Sequence, residues 1–432
     1  MPVDRRLFLS LFLTLPVARK LIAAPVVEGR VLSVVGSEPV KGAVVTCGTQ
    51  ITHTDSEGFY RIPASGPLQV RAPGFRRARF SPLRTTEIRL APFTPKALYL
   101  SYWAVTSKKH LDRVMKVLDE TEANTLVLDV KSEYGLLAYD SGLPVADAIG
   151  AYNRKTLPHM EEFLKMLKAK GIYTIARIVV FKDNLLAAKK PHLAIRQSDG
   201  AIWKNREELA WIDPFQTEAW DYNIDVARHA AKVGFDEIQF DYIRFPDKQD
   251  LVFAKENNEE NRVATIAGFC KEAADRLASA NVFLSADVFG HTCWDEGDTN
   301  IGQRLDAIAP HLDYISPMLY PSSFRHGIPS YANPVAHPEE VVYYSLKNAV
   351  DRTGLAPERF RPWLQAFRDY GFDRRAFREK EIRAQIRAAE AIGSTGWMLW
   401  NAGSYYTAQG LRMGEDPFYY YADADDYKSE EG

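Results

Sequence analysis

The sequence predicts an α/β protein: a (β/α)8 TIM barrel preceded by a small β sandwich. Three observations carry this prediction. Residues 26–92 alternate with period two and show no helical period. Beyond Pro92, eight short apolar runs of strand character alternate with amphipathic helical stretches, as in βα units around a parallel sheet. Polar side chains follow most of these runs, where a barrel places its chemistry.

The composition excludes several classes of protein. With 432 residues, 46% hydrophobic and 25% charged, the chain is an ordinary globular protein. Its net charge of −2 gives no general attraction to nucleic acid or acidic membranes. Its 3 cysteines form neither a disulfide framework nor a zinc-ligand spacing. We expect no metal, no cofactor and no nucleic-acid partner, and the sequence leaves the oligomeric state open.

The two termini carry signals of a different kind. Residues 1–25 combine Arg5-Arg6, a short apolar run and Ala23-Ala24, which together predict an export signal. The string Arg-Arg-x-Phe-Leu resembles the twin-arginine signal, although Arg19 and Lys20 depart from that pattern. No later apolar run is long enough to span a bilayer. We therefore expect a periplasmic or extracellular protein. Residues 413–432 form an acidic tail whose composition predicts disorder.

Residues 26–92 form the predicted front module. Strands are expected over four runs, separated by Gly-, Pro- and Asp-containing turns: Val27–Leu32, Ala43–Cys47, Phe59–Ile62 and Leu68–Arg71. Four strings resemble the carboxypeptidase regulatory-like domain: Gly29-x-Val31, Pro39-Val40-x-Gly42-Ala43, Thr54-Asp55-x-x-Gly58-x-Tyr60 and Ala72-Pro73-Gly74-Phe75. The resemblance implies a transthyretin-like sandwich that serves as an accessory module without chemistry of its own.

Residues 94–412 form the predicted barrel. Its eight strands are expected at Ala97–Ser101, Thr125–Val130, Tyr173–Val179, Glu237–Asp241, Val282–Asp287, Tyr314–Met318, Pro362–Ala366 and Gly396–Trp400. Helices between them include Lys108–Glu120, Met160–Lys170, Thr217–Lys232, Arg262–Ala280 and Glu379–Ala391. A doubly wound sheet is the alternative, but no GxGxxG turn follows the first strand, which argues against its nucleotide-binding version.

The strand ends carry the candidate site. We predict Asp241 and Asp287 as catalytic residues, because paired carboxylates supply the acid, base or nucleophile of glycoside hydrolysis. Amides and arginines hold sugar hydroxyls, and aromatic faces stack on sugar rings. The predicted substrate-binding residues are Asp129, Lys131, Glu133, Arg177, Gln239, Arg244, His291, Tyr320, Gln365, Trp400 and Asn401. Arg177 and Arg244 are expected to pair with Asp241.

Several of these strings resemble a bacterial family of glycoside-hydrolase barrels first catalogued as a domain of unknown function. The similarity runs from Ala97 to Tyr406 and is carried by Leu128-Asp129-Val130-Lys131, Ala176-Arg177-Ile178, Phe240-Asp241-Tyr242-Ile243-Arg244-Phe245-Pro246, Ala286-Asp287-Val288-Phe289-Gly290 and Ser316-Pro317-Met318-Leu319-Tyr320-Pro321. The wider resemblance is to α-amylase-like barrels, and it implies that Asp241 is the nucleophile and Asp287 the acid/base. The chain departs from that pattern in having Gln239 where an arginine is expected, and in lacking a His-Asp pair after strand seven.

The predicted function is hydrolysis of a poly- or oligosaccharide by this pair of aspartates. One alternative is a barrel that binds carbohydrate without turning it over. Another is a metal-dependent barrel enzyme that acts on polysaccharide, such as a deacetylase or a lyase. Turnover on a set of glycans separates the first alternative from catalysis, and sensitivity to a chelator separates the second.

Overall fold

The computed structural model describes residues 25–64, 66–80, 87–152, 157 and 159–413. All but the last residue of the predicted export signal and all but the first residue of the predicted acidic tail lie outside these residues. Among the described residues, no helix combines the length and apolarity that crossing a membrane requires.

In the part of the front module that the structure describes, the regular elements are strands. They are β1 (Val26–Ser33), β2 (Val44–Cys47), β3 (Gln50–His53), β4 (Phe59–Pro63), β5 (Leu68–Arg71), β6 (Ala78–Phe80) and β7 (Glu87–Leu90). One sheet has the order β4-β1-β7 and the other β3-β2-β5-β6. Side chains from both sheets, among them Val31, Val45, Ile62 and Val70, share one hydrophobic core. Alternation along the strands sends these residues inward and leaves charged neighbours in solvent.

Eight parallel strands close the barrel, in the order β10-β12-β14-β15-β16-β17-β8-β9. After the front module, the strands are β8 (Lys96–Leu100), β9 (Thr125–Lys131), β10 (Tyr173–Val179), β11 (Arg196–Gln197), β12 (Glu237–Asp241), β13 (Leu251–Val252), β14 (Phe283–Phe289), β15 (Tyr314–Leu319), β16 (Trp363–Gln365) and β17 (Trp397–Trp400). The short strands β11 and β13 pair with each other outside the barrel. The predicted fold class is confirmed, and every predicted barrel strand occurs within two residues of its expected ends.

Helices cover the outside of the barrel. They are α1 (Tyr102–Val105), α2 (Lys108–Glu120), α3 (Pro144–Ile149), α4 (Met160–Ala169), α5 (Asn184–Lys189), α6 (Thr217–Val233), α7 (Glu259–Leu277), α8 (Leu305–Ile308), α9 (Pro338–Thr353) and α10 (Glu379–Ala391). Outward-facing strand residues such as Leu126, Ile178 and Leu284 join the buried faces of these helices in one large core.

Inward-facing residues fill the barrel interior in layers. A lower apolar layer includes Val127, Ile175, Phe283 and Met398, so the interior is packed and is not a channel. Because side chains alternate along each strand, residues two positions further on face the same interior at the C-terminal end. The polar strand-end residues therefore stand on a packed interior, which also contains the fully buried ion pair of Glu237 with Arg361.

The front module lies against the opposite, N-terminal end of the barrel. Arg71 Nε lies 3.2 Å from Asp313 Oδ2, and Arg77 Nη2 lies 3.1 Å from Asp236 Oδ1. The backbone N–H of Gly74 also donates a hydrogen bond to the Tyr314 hydroxyl at 3.0 Å. The module thus covers the end of the barrel that carries no candidate site residue.

Candidate active site

Arg177 lies at the centre of the strand-end cluster and joins two carboxylates. Its Nη1 donates to Asp129 Oδ1 at 2.6 Å, while Nη2 and Nε donate to Asp241 Oδ2 at 2.5 and 3.0 Å. All three side chains are buried. Strand register explains the meeting, because Arg177 pairs with Asp129 on one side and with Gln239 on the other. The resemblance to α-amylase-like barrels leads us to expect an arginine at the position of Gln239. Arg177 lies beside that position, on the neighbouring strand β10.

Asp241 is held at both carboxylate oxygens. Arg177 occupies Oδ2, and the backbone N–H of Tyr242 donates to Oδ1 at 2.6 Å. Tyr242 makes this contact by adopting φ +52°, which is rare for an aromatic residue. Such a conformation costs about 1–3 kcal/mol and concentrates at functional sites. The backbone turn after strand β12 thus orients the Asp241 carboxylate.

Asp287 is the most deeply buried of the candidate catalytic groups, with a relative exposure of 1%. The indole N–H of Trp363 donates to its Oδ1 at 2.7 Å. Its Oδ2 lies 3.8 Å from Arg177 Nε, beyond hydrogen-bonding distance. Burial, followed by the nearby charge of Asp241, raises the pKa of Asp287 well above its ordinary value. With Oδ1 occupied by a donor, the proton belongs on Oδ2.

The two candidate catalytic carboxylates are close together. Asp241 Oδ2 lies 3.0 Å and Asp287 Oδ2 3.8 Å from the same atom, Arg177 Nε. The two Oδ2 atoms are therefore at most 6.8 Å apart, the sum of these distances. Retaining glycoside hydrolases have carboxyl groups about 5–5.5 Å apart, and inverting ones about 6.5–9.5 Å apart. The bound applies to one oxygen of each group and is compatible with the first range.

Asp129 has both oxygens occupied. In addition to Arg177 on Oδ1, the Tyr99 hydroxyl donates to Oδ2 at 2.5 Å and the backbone N–H of Tyr102 donates at 3.1 Å. Burial raises the pKa of Asp129, and the neighbouring Arg177 opposes that rise. Asp129 thus holds one side of the Arg177 guanidinium while Asp241 holds the other.

Aromatic rings form a wall beside the carboxylates. Trp400 stacks on Tyr99 with ring centroids 4.1 Å apart, and the Arg177 guanidinium lies 5.2 Å from the Trp400 ring. Tyr320 stands near both aspartates, and their charges add to burial in raising the pKa of its hydroxyl. Trp400 and Tyr320 are partly exposed, so their rings are available to a sugar.

Four predicted substrate-binding residues make structural contacts instead. Lys131 is fully buried in an ion pair of 2.7 Å with Asp183. Gln239 is fully buried and donates to Ser316 Oγ at 3.3 Å. Neither side chain is exposed to solvent in this structure.

The other two structural residues are Gln365 and Asn401. Gln365 accepts from the backbone N–H of Ser322 at 3.0 Å and donates to Ser322 Oγ at 2.7 Å. Asn401 donates to the Ala366 carbonyl at 2.7 Å and accepts from the backbone N–H of Gly403 at 3.0 Å. Their amide groups hold loops at the rim of the barrel and leave little capacity for sugar hydroxyls.

The remaining predicted residues lie further out on the rim. The Arg244 guanidinium lies on the rings of Trp211, Tyr242 and Phe289 and makes no hydrogen bond to Asp241 in the described structure. Burial lowers the pKa of Arg244, and the charge of Asp241 still acts on it and opposes that lowering. Glu133 is partly exposed on the loop after β9.

His291 belongs to a separate feature of the rim. It is exposed and lines a cavity of about 540 Å³ together with Phe289, Trp294 and Asn300. The cavity adjoins the ring of Phe289 on which Arg244 lies.

Sequence reasoning missed three residues of the site. Trp363 orients Asp287, Tyr242 orients Asp241, and Lys182 lies 5.0 Å from the Tyr242 ring. Trp363 had a usable signal, since it is two residues before Gln365 and so faces the same interior. Among the described residues, no group of three His, Cys, Asp or Glu side chains has the arrangement of a metal site.

A family model described as "Putative glycosyl hydrolase domain" matches residues 97–406. The chain belongs to this family. The match covers the whole barrel, including every strand-end residue discussed above, and confirms the family resemblance seen in the sequence. No curated protein matches the chain significantly.

Several solved structures resemble the chain, and the first of those below supports the fold. The PgaB (BpsB) glycoside hydrolase domain from Bordetella bronchiseptica matches with a TM-score of 0.53 and 13% identity, over 72% of this chain and 94% of that one. A hypothetical protein from Ruminiclostridium thermocellum is 38% identical with a TM-score of 0.40, over 44% of this chain and 97% of that one. A class V chitinase from Pseudomonas fluorescens matches with a TM-score of 0.45 and 13% identity, over 73% of this chain and 97% of that one.

Proposed function

We propose that the protein hydrolyses O-glycosidic bonds in a poly- or oligosaccharide, with Asp241 as nucleophile and Asp287 as general acid/base. One observation carries the proposal: two buried carboxylates, with their Oδ2 atoms at most 6.8 Å apart, stand at the C-terminal end of the barrel in different environments. Arg177 is hydrogen-bonded to Asp241 and not to Asp287. Environments that separate two titratable groups define an acid and a base.

In the first step, Asp287 Oδ2–H donates its proton to the glycosidic oxygen while the bond from that oxygen to the anomeric carbon breaks. Asp241 Oδ1, which the Tyr242 N–H orients, forms a bond to the same carbon. The leaving sugar departs as an alcohol, and a glycosyl ester of Asp241 remains. In the second step, Asp287 takes a proton from water, the water oxygen bonds to the anomeric carbon, and the Asp241 carboxylate is released.

The separation of the carboxylates favours retention of anomeric configuration. An inverting enzyme needs space for a water molecule between its base and the sugar, and hence a wider carboxyl separation. The upper bound of 6.8 Å between the two Oδ2 atoms supports the closer, retaining arrangement. Time-resolved ¹H NMR of the first product formed checks this directly, and initial release of the inverted anomer would contradict the nucleophilic role of Asp241.

The central experiment measures turnover of a panel of oligosaccharides by the wild type and by two variants. Asp241→Asn keeps the shape of the side chain but lacks a nucleophile, so kcat should fall by several orders of magnitude while binding persists. Asp287→Asn should lose less activity on aryl glycosides with a good leaving group, which need little protonation. Asp306→Asn, on an exposed helix end, is the matched control.

The alternatives remain outcomes of the same experiment. Binding without turnover on every glycan would favour a carbohydrate-binding barrel. Turnover that Asp241→Asn leaves intact, and that a chelator abolishes, would favour a metal-dependent enzyme.

We propose further that the front module is an accessory domain of the carboxypeptidase regulatory-like type and that the protein is exported. The four strings between Gly29 and Phe75 support the first point, and Arg5-Arg6 followed by an apolar run supports the second. Deleting residues 26–92 should leave measurable turnover, since the module lies at the other end of the barrel. Fractionation of cells that express the full chain tests export, and its loss in an Arg5→Lys, Arg6→Lys variant tests the twin-arginine route.

A further inference from the structure

A line of aromatic rings leads from the candidate catalytic carboxylates to solvent. It begins at Tyr320, directly after β15, whose hydroxyl is under the charges of Asp287 and Asp241. The ring centroid of Phe367, on the loop after β16, lies 5.5 Å from that of Tyr320. The ring centroid of Tyr370 lies 6.0 Å beyond, and this side chain is 48% exposed. Each ring is thus within contact distance of the next.

The two outer rings, Phe367 and Tyr370, form what we call the aromatic platform. Their planes are inclined by only 7°, so their faces share one orientation. Phe367 is partly exposed and Tyr370 is exposed. A single exposed aromatic residue indicates little. Parallel rings that continue a line from the catalytic carboxylates are suited to the C–H face of a sugar ring, which packs on an aromatic face.

A buried carboxylate fixes the loop that carries the platform. Asp369 is 1% exposed and lies between the two ring-bearing residues in the chain. Its Oδ1 accepts from Ser322 Oγ at 2.6 Å and from the backbone N–H of Gly371 at 2.9 Å. Its Oδ2 accepts from the backbone N–H groups of Phe372 and Arg374, both at 2.9 Å. Hydrogen bonds to a carboxylate are stronger than neutral ones, so the loop is held firmly.

The platform is also tied to the inner ring of the line. Gln365 donates to the Phe367 carbonyl at 3.2 Å and to Ser322 Oγ at 2.7 Å. Ser322 lies two residues after Tyr320, so these bonds join the loops after β15 and β16. The rings therefore hold their relative positions without a ligand. Such preorganisation lowers the entropic cost of binding.

We propose that the platform of Phe367 and Tyr370 is a stacking subsite for a sugar unit beyond those at the catalytic aspartates. Its occupant is a pyranose of the same carbohydrate chain, because Tyr320 connects the platform to Asp241 and Asp287. The substrate is accordingly a chain of several sugar units, and affinity increases when the chain becomes long enough to reach Tyr370. The inference rests on the proposed function in taking the ligand to be a carbohydrate.

The experiment measures binding against chain length, which keeps it separate from turnover. Calorimetry on the full chain uses cello-, xylo- and N-acetylchito-oligosaccharides of two to six units. The titrations are made with the wild type and repeated in an Asp241→Asn background, in which the proposed mechanism predicts no cleavage. In at least one series, affinity should rise by about tenfold over one added unit, as expected of a ring-stacking contact.

Three variants separate a subsite from a structural role. Tyr370→Ala should remove the rise and leave the affinity for shorter members unchanged. Tyr370→Phe should keep the rise, because stacking uses the ring and not the hydroxyl. Tyr344→Ala is the matched control: Tyr344 is 41% exposed on α9, outside the barrel, with its ring centroid 5.8 Å from that of Tyr331. This control should change neither quantity.

Two results would overturn the proposal. One is affinity that does not depend on length in any series, or no binding at all, which would assign the rings to contact with a protein. The other is a rise that survives Tyr370→Ala in a protein with an unchanged circular dichroism spectrum. Turnover with length-independent affinity would reject this inference and leave the proposed function intact. A rise lost in Tyr370→Ala, without turnover of any glycan, would support the subsite and reject the proposed hydrolysis.

Discussion

Replacing Trp363 with Phe should shift the pH dependence of the enzyme toward higher pH. The indole N–H of Trp363 donates to Asp287 Oδ1 at 2.7 Å, and this hydrogen bond favours the carboxylate over the carboxylic acid. Phe keeps an aromatic ring but has no donor. Asp287, whose pKa burial and the charge of Asp241 already raise, should then hold its proton to a still higher pH.

The magnitude follows from the strength of the bond. A hydrogen bond to a charged group contributes about 1.5–3 kcal/mol, and 1.36 kcal/mol corresponds to one pH unit in a titration. Since general-acid catalysis requires protonated Asp287, the alkaline limb of kcat/KM should move upward by about one pH unit or more. The assay is a kcat/KM profile on an oligosaccharide with a poor leaving group, for which protonation limits the rate.

Trp397→Phe is the matched control. Trp397 is as buried as Trp363, but its indole N–H has no hydrogen-bond partner in the described structure. Both substitutions lose packing worth about 0.5–3 kcal/mol, so both should lower Tm similarly. An alkaline limb that stays in place in Trp363→Phe, or that moves equally in Trp397→Phe, would refute the assignment of Asp287 as the acid.

Three further outcomes are expected. Asp287→Asn should raise Tm at pH values above the folded-state pKa of Asp287, because it removes a buried charge. A carboxyl group whose pKa is raised in the folded state stabilises the fold at low pH, and that stabilisation is lost as the pH rises through the folded-state pKa. Scanning calorimetry at acidic and alkaline pH should therefore show a gain in Tm only at the alkaline end. Arg77→Ala should lower Tm by breaking the pair with Asp236 and leave kcat/KM unchanged, because that contact lies at the far end of the barrel; a change in kcat/KM would contradict this. Glu133→Gln should change KM more than kcat, as expected of a rim residue; loss of kcat equal to that of Asp241→Asn would make Glu133 the third catalytic carboxylate.

The sequence predicted where the barrel strands lie and which polar residues end them. Short apolar runs that alternate with amphipathic helical stretches located all eight barrel strands, because strands buried on both faces of a parallel sheet are short apolar segments. The rule that barrels concentrate polar groups at strand ends then selected Asp129, Arg177, Asp241 and Asp287, which the structure places in one cluster. Each of these residues faces the interior because of its place in a strand.

Residues beyond the strand ends were read less well. Lys131 and Gln365 end strands like the catalytic candidates, yet Lys131 pairs with Asp183 and Gln365 holds a loop at Ser322. Arg244 turned to three aromatic rings and not to Asp241. Closeness in the chain does not decide among such partners, because a long side chain can reach several groups. Once it is buried, it adopts the conformation in which its polar atoms are best paired.

The sequence by itself determined the barrel, its strands and the carboxylates at its C-terminal end, since alternation and apolarity are local properties of the chain. Only the tertiary structure decided that Arg177 joins Asp129 to Asp241, that Trp363 occupies one oxygen of Asp287, and that Lys182 and Arg244 flank Tyr242. These contacts join residues up to 76 positions apart. Strand register and the cost of leaving a buried polar group unpaired determine which residues form these contacts. Both depend on how distant segments pack together, so no single segment of the chain predicts them.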